Sequence, residues 1–474
     1  MKTQVEIEEE NLAIMITKAK HDLHKAKKDG LLSDFKASTK VLPWYIGELA
    51  NRLELYKAST LAGKAKVKPI PAKVFQALDS ETLAHLTVKT IVNVGKKHDL
   101  VVVARLLAEK LKTEYKLSKL RDTDTERHKL VAGFIQSTSY TGKRKYILAN
   151  NLMAKYHKQI IADIDTNMMR AALRLLTMLA EVQPIINDTI APPLIALETI
   201  GVSSTDKRTL VMLLPWFSEW IMNTINNGDM IPAYHTALVE KPIEWTSTFG
   251  GGFHTERFKY NLINTRVPMK NYIGVDMSST INAVNRLQNT KWQINENVLN
   301  VMLYSVEKNL GLGGLPRNIT VNKMPYPFPD KKVKELSEGE LEVLKAWRKE
   351  SAAQYEYKVA EDSKYLGMHR AVSDAVRFRD YSEIYFAYFL DFRGRIYPKA
   401  SNLHPQGTKF IKSLLQFAEG KRIQDIDSEM FLAMHGANTY GNDKETFINK
   451  HKWVLEHEDA IVECADDPYS EGAL

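Results

Sequence analysis

A chain of 474 residues with a formal charge of +8 is long enough to bury a large core and to hold two or more domains, and its basic balance favours a polyanionic partner without requiring one. Its single cysteine, Cys464, excludes an internal disulfide framework and a cysteine-based zinc site and fits a reducing compartment. No apolar run approaches the length of a membrane span, and Met1-Lys2-Thr3-Gln4-Val5-Glu6 lacks the apolar core of a signal peptide, so a soluble, non-exported chain is expected.

In chain order, the first third reads as helical. Leu49, Leu53 and Tyr56 recur at helical spacing, as do Leu83, Leu86, Thr87, Ile91 and Val94, with lysines on the remaining faces. The stretch from Ala62 to Pro71 breaks that pattern with glycine, proline and lysine and predicts an exposed basic linker. Gly95-Lys96-Lys97-His98-Asp99 separates two apolar helices, as either a solvated turn or a pair of cations aimed at phosphates. Tyr140 to Tyr146 interleaves cations with aromatics. Such a surface can track phosphates and stack bases, but lysine stems lying along half-buried tyrosines give the same sequence, and that plainer reading is preferred. From Ile195 to Leu213, two β-prone runs around Ser203-Ser204-Thr205-Asp206-Lys207 predict a hairpin.

An amphipathic pattern from Met277 to Leu310 predicts one long helix, ended by Gly311-Leu312-Gly313-Gly314-Leu315-Pro316. Pro325, Pro327 and Pro329 mark an extended crossover. A second helix begins at Ser337-Glu338-Gly339-Glu340, a capping-box pattern, and continues through Leu341, Leu344, Trp347 and Ala353. Its Lys345, Arg348, Lys349 and Lys358 suit a nucleic-acid backbone or, alternating with glutamates, an ordinary solvated face. His369-Arg370 and Arg377-Phe378-Arg379 then bring further cations towards a β-rich run, Ile384 to Leu390.

That run ends in Asp391-Phe392-Arg393-Gly394-Arg395-Ile396-Tyr397, an acid, a permissive glycine and two guanidinium groups beside an aromatic strand. Gly394 lets the main chain approach a ligand closely. Arg393 and Arg395 are expected on opposite faces of an extended segment, one meeting a phosphate and the other pairing with Asp391 or another carboxylate. A surface salt-bridge cluster is the alternative. Ser401 to Gly407 reads as a polar turn, with Lys409 and Lys412 on a short helix after it. Asp425 and Asp427 in a polar turn, and Asp466-Asp467 in a helix-to-turn tail, read as solvated carboxylates. No Ser/His/Asp triad, P-loop or metal-ligand spacing occurs, and no catalytic residue is assigned.

The Asp391 to Arg395 segment resembles the D-x-x-G-R motif of the single-subunit RNA polymerases of bacteriophages and mitochondria, its flanks the phage branch in particular. Trp245 to Glu256, with Gly250-Gly251-Gly252, resembles that family's tryptophan and triple-glycine block. Ile281 to Asn295 is similar to its thumb-entry helix, and His435-Gly436-Ala437-Asn438 with Asp443-Lys444 resembles the block that follows the motif strand. The matches keep their order over most of the chain, with weaker similarity back to about Val74. The resemblance implies a mainly α fold with smaller β elements: a helical promoter-engaging domain over residues 1–275, a helical thumb over 276–380, and the first, incomplete part of a right-hand polymerase palm over 381–474.

It also implies roles. Arg393, Arg395, Tyr397 and Lys412 would contact template or hybrid, with Asp391 and Gly394 shaping the motif. Lys96 and Lys97 would bind the AT-rich upstream promoter, and Val202 would be the apolar wedge that holds melted DNA open. The carboxylates for two Mg2+ ions would lie beyond Leu474, so this chain alone would be inactive. Implied partners are double-stranded promoter DNA, template strand, nascent RNA and a complementary carboxy-terminal polymerase chain, with no membrane, in the cytoplasm of an infected bacterial host. A second reading is a catalytically inert, polymerase-derived DNA-binding or transcription-regulating protein. A neighbouring reading frame beginning with palm motifs would favour the first.

Overall fold

The computed structural model describes residues 1–62, 70–95, 97–137, 143–156, 165–201, 207–272 and 274–469. The middle of the basic linker after Ala62, Lys96, the Tyr140 end of the second basic cluster, Val202 and the final residues from Ser470 lie outside them. The fold is mainly helical, with small two- and three-stranded sheets among the described residues. It forms two compact units: Met1–Leu12 with Ala233–Leu474, and Ala13–Pro232.

In the Ala13–Pro232 unit, helices Ser38–Ala62, Ser80–Val94, Leu100–Thr123 and Asp165–Ala180 enclose a core in which Leu49, Leu53, Leu83, Ile91, Leu107 and Leu175 are fully buried. The spacing of those leucines dictates this, since side chains three and four apart share a helix face. Asp79 starts one helix by accepting a hydrogen bond from the Thr82 N–H at 2.9 Å, and Asp99 starts the next by accepting from Val101 at 2.8 Å. The hairpin predicted after Ile195 is present: Ile195–Gly201 pairs antiparallel with Lys207–Leu213, from Ile195 opposite Leu213 to Gly201 opposite Lys207. A third strand, His98–Asp99, pairs on its other side, His98 opposite Val211. This corrects the solvated-turn alternative for Gly95 to Asp99, because its last two residues belong to a sheet.

In the other unit, the single helix expected from Met277 to Leu310 is two, Ser278–Gln288 and Glu296–Lys308, with the strand Trp292–Ile294 between them. That strand pairs antiparallel with Leu415–Phe417, and Asn295 restarts the helix by accepting from the Val298 N–H at 3.2 Å. A distant strand partner and a local cap together overrode the apolar periodicity. The second expected helix holds. Ser337 and Glu340 form the capping box, and the helix runs Glu338–Phe378 for 41 residues, roughly 60 Å at the standard rise. Its buried residues are Leu344 near the start and Met368, Ala371, Val372, Asp374, Ala375 and Phe378 near the end, while the stretch between them carries half-buried residues such as Trp347, whose ring packs 5.3 Å from that of Tyr326. Asp425 and Asp427 open the helix Ile426–Tyr440, Asp425 as its cap, in place of the polar turn expected there.

Candidate nucleic-acid interface

Strand Tyr388–Asp391 pairs antiparallel with Ile396–Pro398 and parallel with Ile263–Asn264. The Asp391 motif is therefore the turn of a hairpin, which corrects the expected extended segment; residues two apart in such a segment would in any case share one face and not place Arg393 and Arg395 on opposite ones. Gly394 takes a φ of +80°, a conformation that costs other residues steric strain. The Gly394 N–H donates to the Asp391 carbonyl at 3.0 Å and the Asp391 N–H to the Arg395 carbonyl at 2.9 Å. Asp391 Oδ1 accepts from the backbone N–H groups of both Arg393 and Arg395, each at 2.9 Å. The acid thus clamps the turn by its main chain and is not the ion-pair partner expected for one arginine.

That clamp leaves the cations outward. Phe392, Arg393, Gly394 and Arg395 are exposed. The Arg393 guanidinium lies 5.0 Å from the Phe392 ring centroid, and among the described residues neither arginine has an ion-pair partner. Tyr397, half-buried, stands opposite Phe389 with ring centroids 5.9 Å apart. Gln406 Nε2 donates to the Ile396 carbonyl at 3.0 Å, tying the following loop to the hairpin. Lys409 and Lys412 stand exposed on the short helix Lys409–Ser413. The hairpin gathers Asp391, Arg393, Gly394, Arg395 and Tyr397; Lys412 lies on a separate element.

Rigidity beneath the hairpin comes from residues whose role the sequence left open. Trp245 is buried, its backbone N–H bonds Asn285 Oδ1, and its ring Nε1–H donates to Gln288 Oε1 at 3.2 Å. A side chain at Gly251 would collide with that ring, and Gly252 has a φ of +85° against Tyr260. The triple-glycine block and the helix Ser278–Gln288 are thus one packing unit. Asp374 is a second anchor: it accepts from the Tyr234 hydroxyl at 2.9 Å and from Asn402 Nδ2 at 3.1 Å. Burial pushes its carboxyl up, opposed by those hydrogen bonds and by Arg377. Arg377 itself bonds Glu10 at 2.8 Å and Asn11 at 2.6 Å, so it does not add to the cations of the motif as expected. On the long helix, Lys358 pairs with Asp362 at 2.8 Å and Lys345 with Glu342.

In the Ala13–Pro232 unit, Lys97 pairs with Glu198 at 2.6 Å, both about half exposed. The sheet therefore brings Lys97, His98 and Asp99 against the hairpin of Ile195–Gly201 and Lys207–Leu213. Sequence spacing carried no sign of this contact.

Among the described residues, no group of three or more His, Cys, Asp or Glu side chains has the arrangement to hold a metal ion. Asp425 Oδ1 accepts from the Ser428 N–H and hydroxyl at 2.9 and 2.7 Å, and Asp467 accepts from Tyr469 N–H at 3.0 Å. These acids cap local structure and do not fit a two-metal centre. No helix is long and apolar enough to cross a membrane among the described residues.

The family model for DNA-dependent RNA polymerase matches residues 424–473. T7 RNA polymerase of Escherichia phage T7 is 24% identical over 486 residues, covering 98% of this chain and 52% of the relative. The DNA-directed RNA polymerase of Enterobacteria phage K11 is 34% identical over 272 residues, 56% of this chain and 29% of the relative. The mitochondrial DNA-directed RNA polymerase of Schizosaccharomyces pombe is 27% identical over 276 residues, 55% of this chain and 22% of the relative. The chain spans about half the length of the T7 relative, and almost the whole of this chain takes part in the match.

Proposed function

We propose, for a chain whose homologues are the T7-like single-subunit RNA polymerases of phages and their organellar relatives, that it is the amino-terminal part of a DNA-directed RNA polymerase. In this reading, residues 1–275 engage and help melt promoter DNA, 276–380 form the thumb, and 381–474 begin the palm. Arg393, Arg395, Tyr397 and Lys412 hold template and RNA–DNA hybrid on a turn shaped by Asp391 and Gly394. Lys96 and Lys97 position the upstream promoter, and Val202 wedges the melted edge. The observation that carries the reading is the Asp391 clamp, because it fixes a turn and leaves two arginines unpaired towards solvent. Unpaired, preorganised guanidinium groups suit phosphate oxygens.

Nucleotide addition, with Mg2+ held by carboxylates of a complementary carboxy-terminal chain, then belongs to the assembled enzyme in an infected bacterium. Exposed Ile426, Phe431, Leu432, Tyr440, Phe447 and Ile448 support an unfinished packing surface at residues 424–473, the segment matched by the polymerase family model. Promoter-dependent RNA synthesis by the 474-residue chain, alone and mixed with a carboxy-terminal phage-type polymerase chain, tests the proposal. Activity only in the mixture is expected. RNA synthesis by this chain alone would overturn the division of labour, and promoter binding without activity in any mixture would favour the inert regulator.

A further inference from the structure

We infer that Lys399, two residues beyond Tyr397, is a further phosphate contact of the template and hybrid grip, its ammonium held ready by two aromatic rings. The inference rests on the nucleic-acid reading of the hairpin given above and adds a residue to it.

The hairpin register sets the placement. Phe389 lies opposite Tyr397, and the Lys399 N–H donates to the Ala387 carbonyl at 2.8 Å, which continues the ladder one step past the named strand. Alternate residues of a strand share a face, so Tyr397 and Lys399 lie on the same side and Lys399 is diagonal to Phe389. The Lys399 ammonium is 5.2 Å from the Phe389 ring centroid and 4.6 Å from that of Tyr260. Tyr260 is itself fixed: its hydroxyl donates to the Tyr388 carbonyl at 2.8 Å, and its ring meets Trp245 edge-on at 5.2 Å.

Ring faces attract a cation without neutralising its charge. Among the described residues the Lys399 ammonium has neither a carboxylate nor a hydrogen-bond acceptor. Its situation differs from that of Lys291, which lies 3.1 Å from Glu383 and 2.9 Å from Glu419, and from that of Lys97 beside Glu198. The neighbouring His235 supplies no negative charge, and burial holds its imidazole neutral. Burial also pulls the Lys399 ammonium below the ordinary lysine range. A half-buried cation with three N–H donors and no anion is an unfavourable arrangement that an incoming phosphate oxygen relieves. A compact ammonium matches a single phosphate oxygen as a point charge, beside the forked donors of Arg395.

The test is binding of an RNA–DNA hybrid carrying a single-stranded template tail to the full 474-residue chain, across a range of salt concentrations. Lys399→Met keeps an unbranched side chain against the rings and removes the charge. The slope of log affinity against log salt should become shallower by about 0.7–0.9, the change expected for one lost phosphate contact, and Lys399→Arg should restore most of it. An unchanged slope in a folded Lys399→Met protein overturns the proposal while leaving the grip itself intact. Should that variant fail to fold, acylation of the wild-type lysines followed by mass spectrometry decides. Protection of Lys399 by the hybrid is expected, and equal labelling with and without hybrid overturns it. A wild-type chain with no salt-dependent hybrid binding removes the wider reading and this inference together.

Discussion

Trp245 and Asn285 hold each other through two reciprocal hydrogen bonds. The Trp245 N–H donates to Asn285 Oδ1 at 2.9 Å, and Asn285 Nδ2 donates to the Trp245 carbonyl at 2.9 Å. One side chain thereby satisfies both backbone groups of a buried residue that belongs to no regular strand. Gln288, one turn later on the same helix, extends the match: its Nε2 donates to the Ile243 carbonyl at 3.1 Å. The helix acts as a surrogate strand for the Ile243 to Trp245 segment.

Removing that surrogate should cost stability. Asn285→Ala leaves the Trp245 N–H and carbonyl without their partner, at about 1–3 kcal/mol for a buried unsatisfied group. Gly251→Ala pushes a methyl into the Trp245 ring, with overpacking costs of about 1–3 kcal/mol. Urea unfolding should show reduced midpoints for both. A midpoint unchanged in either variant would show that the segment relaxes around the loss.

Arg395 is exposed and outside the core, so its variants should separate the proposed function from stability. Arg395→Ala retains the backbone N–H that Asp391 uses and should unfold like the wild type. In the assembled enzyme it should release short transcripts more readily, since a charge-assisted phosphate contact contributes about 1.5–3 kcal/mol. The ratio of abortive to full-length RNA at elevated salt measures this, and an unaltered ratio would remove Arg395 from the grip. Asp391→Ala should act differently, loosening the turn and weakening the contributions of both arginines at once.

Much of this was legible locally. The capping box at Ser337 and Glu340 lies within four consecutive residues, and the Ile195 to Leu213 hairpin within one β–turn–β pattern, so adjacent residues dictate both. What was not legible depended on partners far along the chain. Trp292–Ile294 is a strand only because Leu415–Phe417 lies beside it. Arg377 is engaged by Glu10, 367 positions away, and Lys97 by Glu198, 101 positions away. Asp391 shows a subtler limit. Its acid beside two arginines fits an ion pair or an Asx-type clamp equally well, and only the φ of Gly394 and the hairpin geometry select the clamp.

His235 gives a pH signature. Its ring packs 4.6 Å from Phe253 and 5.7 Å from Tyr260, with Nε2 3.1 Å from the Phe258 carbonyl oxygen. Burial, aided by the nearby Lys399, lowers its pKa to about 4 against the pull of backbone hydrogen bonds. Above the unfolded value near 6.5, both states are neutral and the group has no pH effect. Between there and about 4, the unfolded chain binds a proton that the folded one refuses, so stability falls with acidification. The full effect is on the order of 3 kcal/mol. Urea unfolding at neutral pH and near pH 5 should show a smaller acid loss for His235→Gln than for the wild type; equal losses would place the acid sensitivity elsewhere.

Promoter opening and promoter positioning should separate on the sheet that joins His98–Asp99 to the Ile195–Gly201 and Lys207–Leu213 hairpin. If Val202 and the residues that follow it are the wedge, replacing residues 202–206 by a glycine-serine link should impair initiation on closed duplex promoters. It should spare templates supplied already melted, because the unstacking cost of a few kcal/mol no longer has to be offset. If Lys97 positions the promoter, Lys97→Ala should weaken promoter binding on both templates, with a shallower salt dependence. Its partner supplies the sharper comparison. Glu198 competes for the Lys97 ammonium at 2.6 Å, so Glu198→Gln should free that cation and tighten promoter binding at low salt, an effect that disappears in the Lys97→Ala background. Equal losses on duplex and melted templates for the tip variant would make the hairpin a structural connection. Unaltered binding in Glu198→Gln would show that Lys97 serves the sheet and not the DNA.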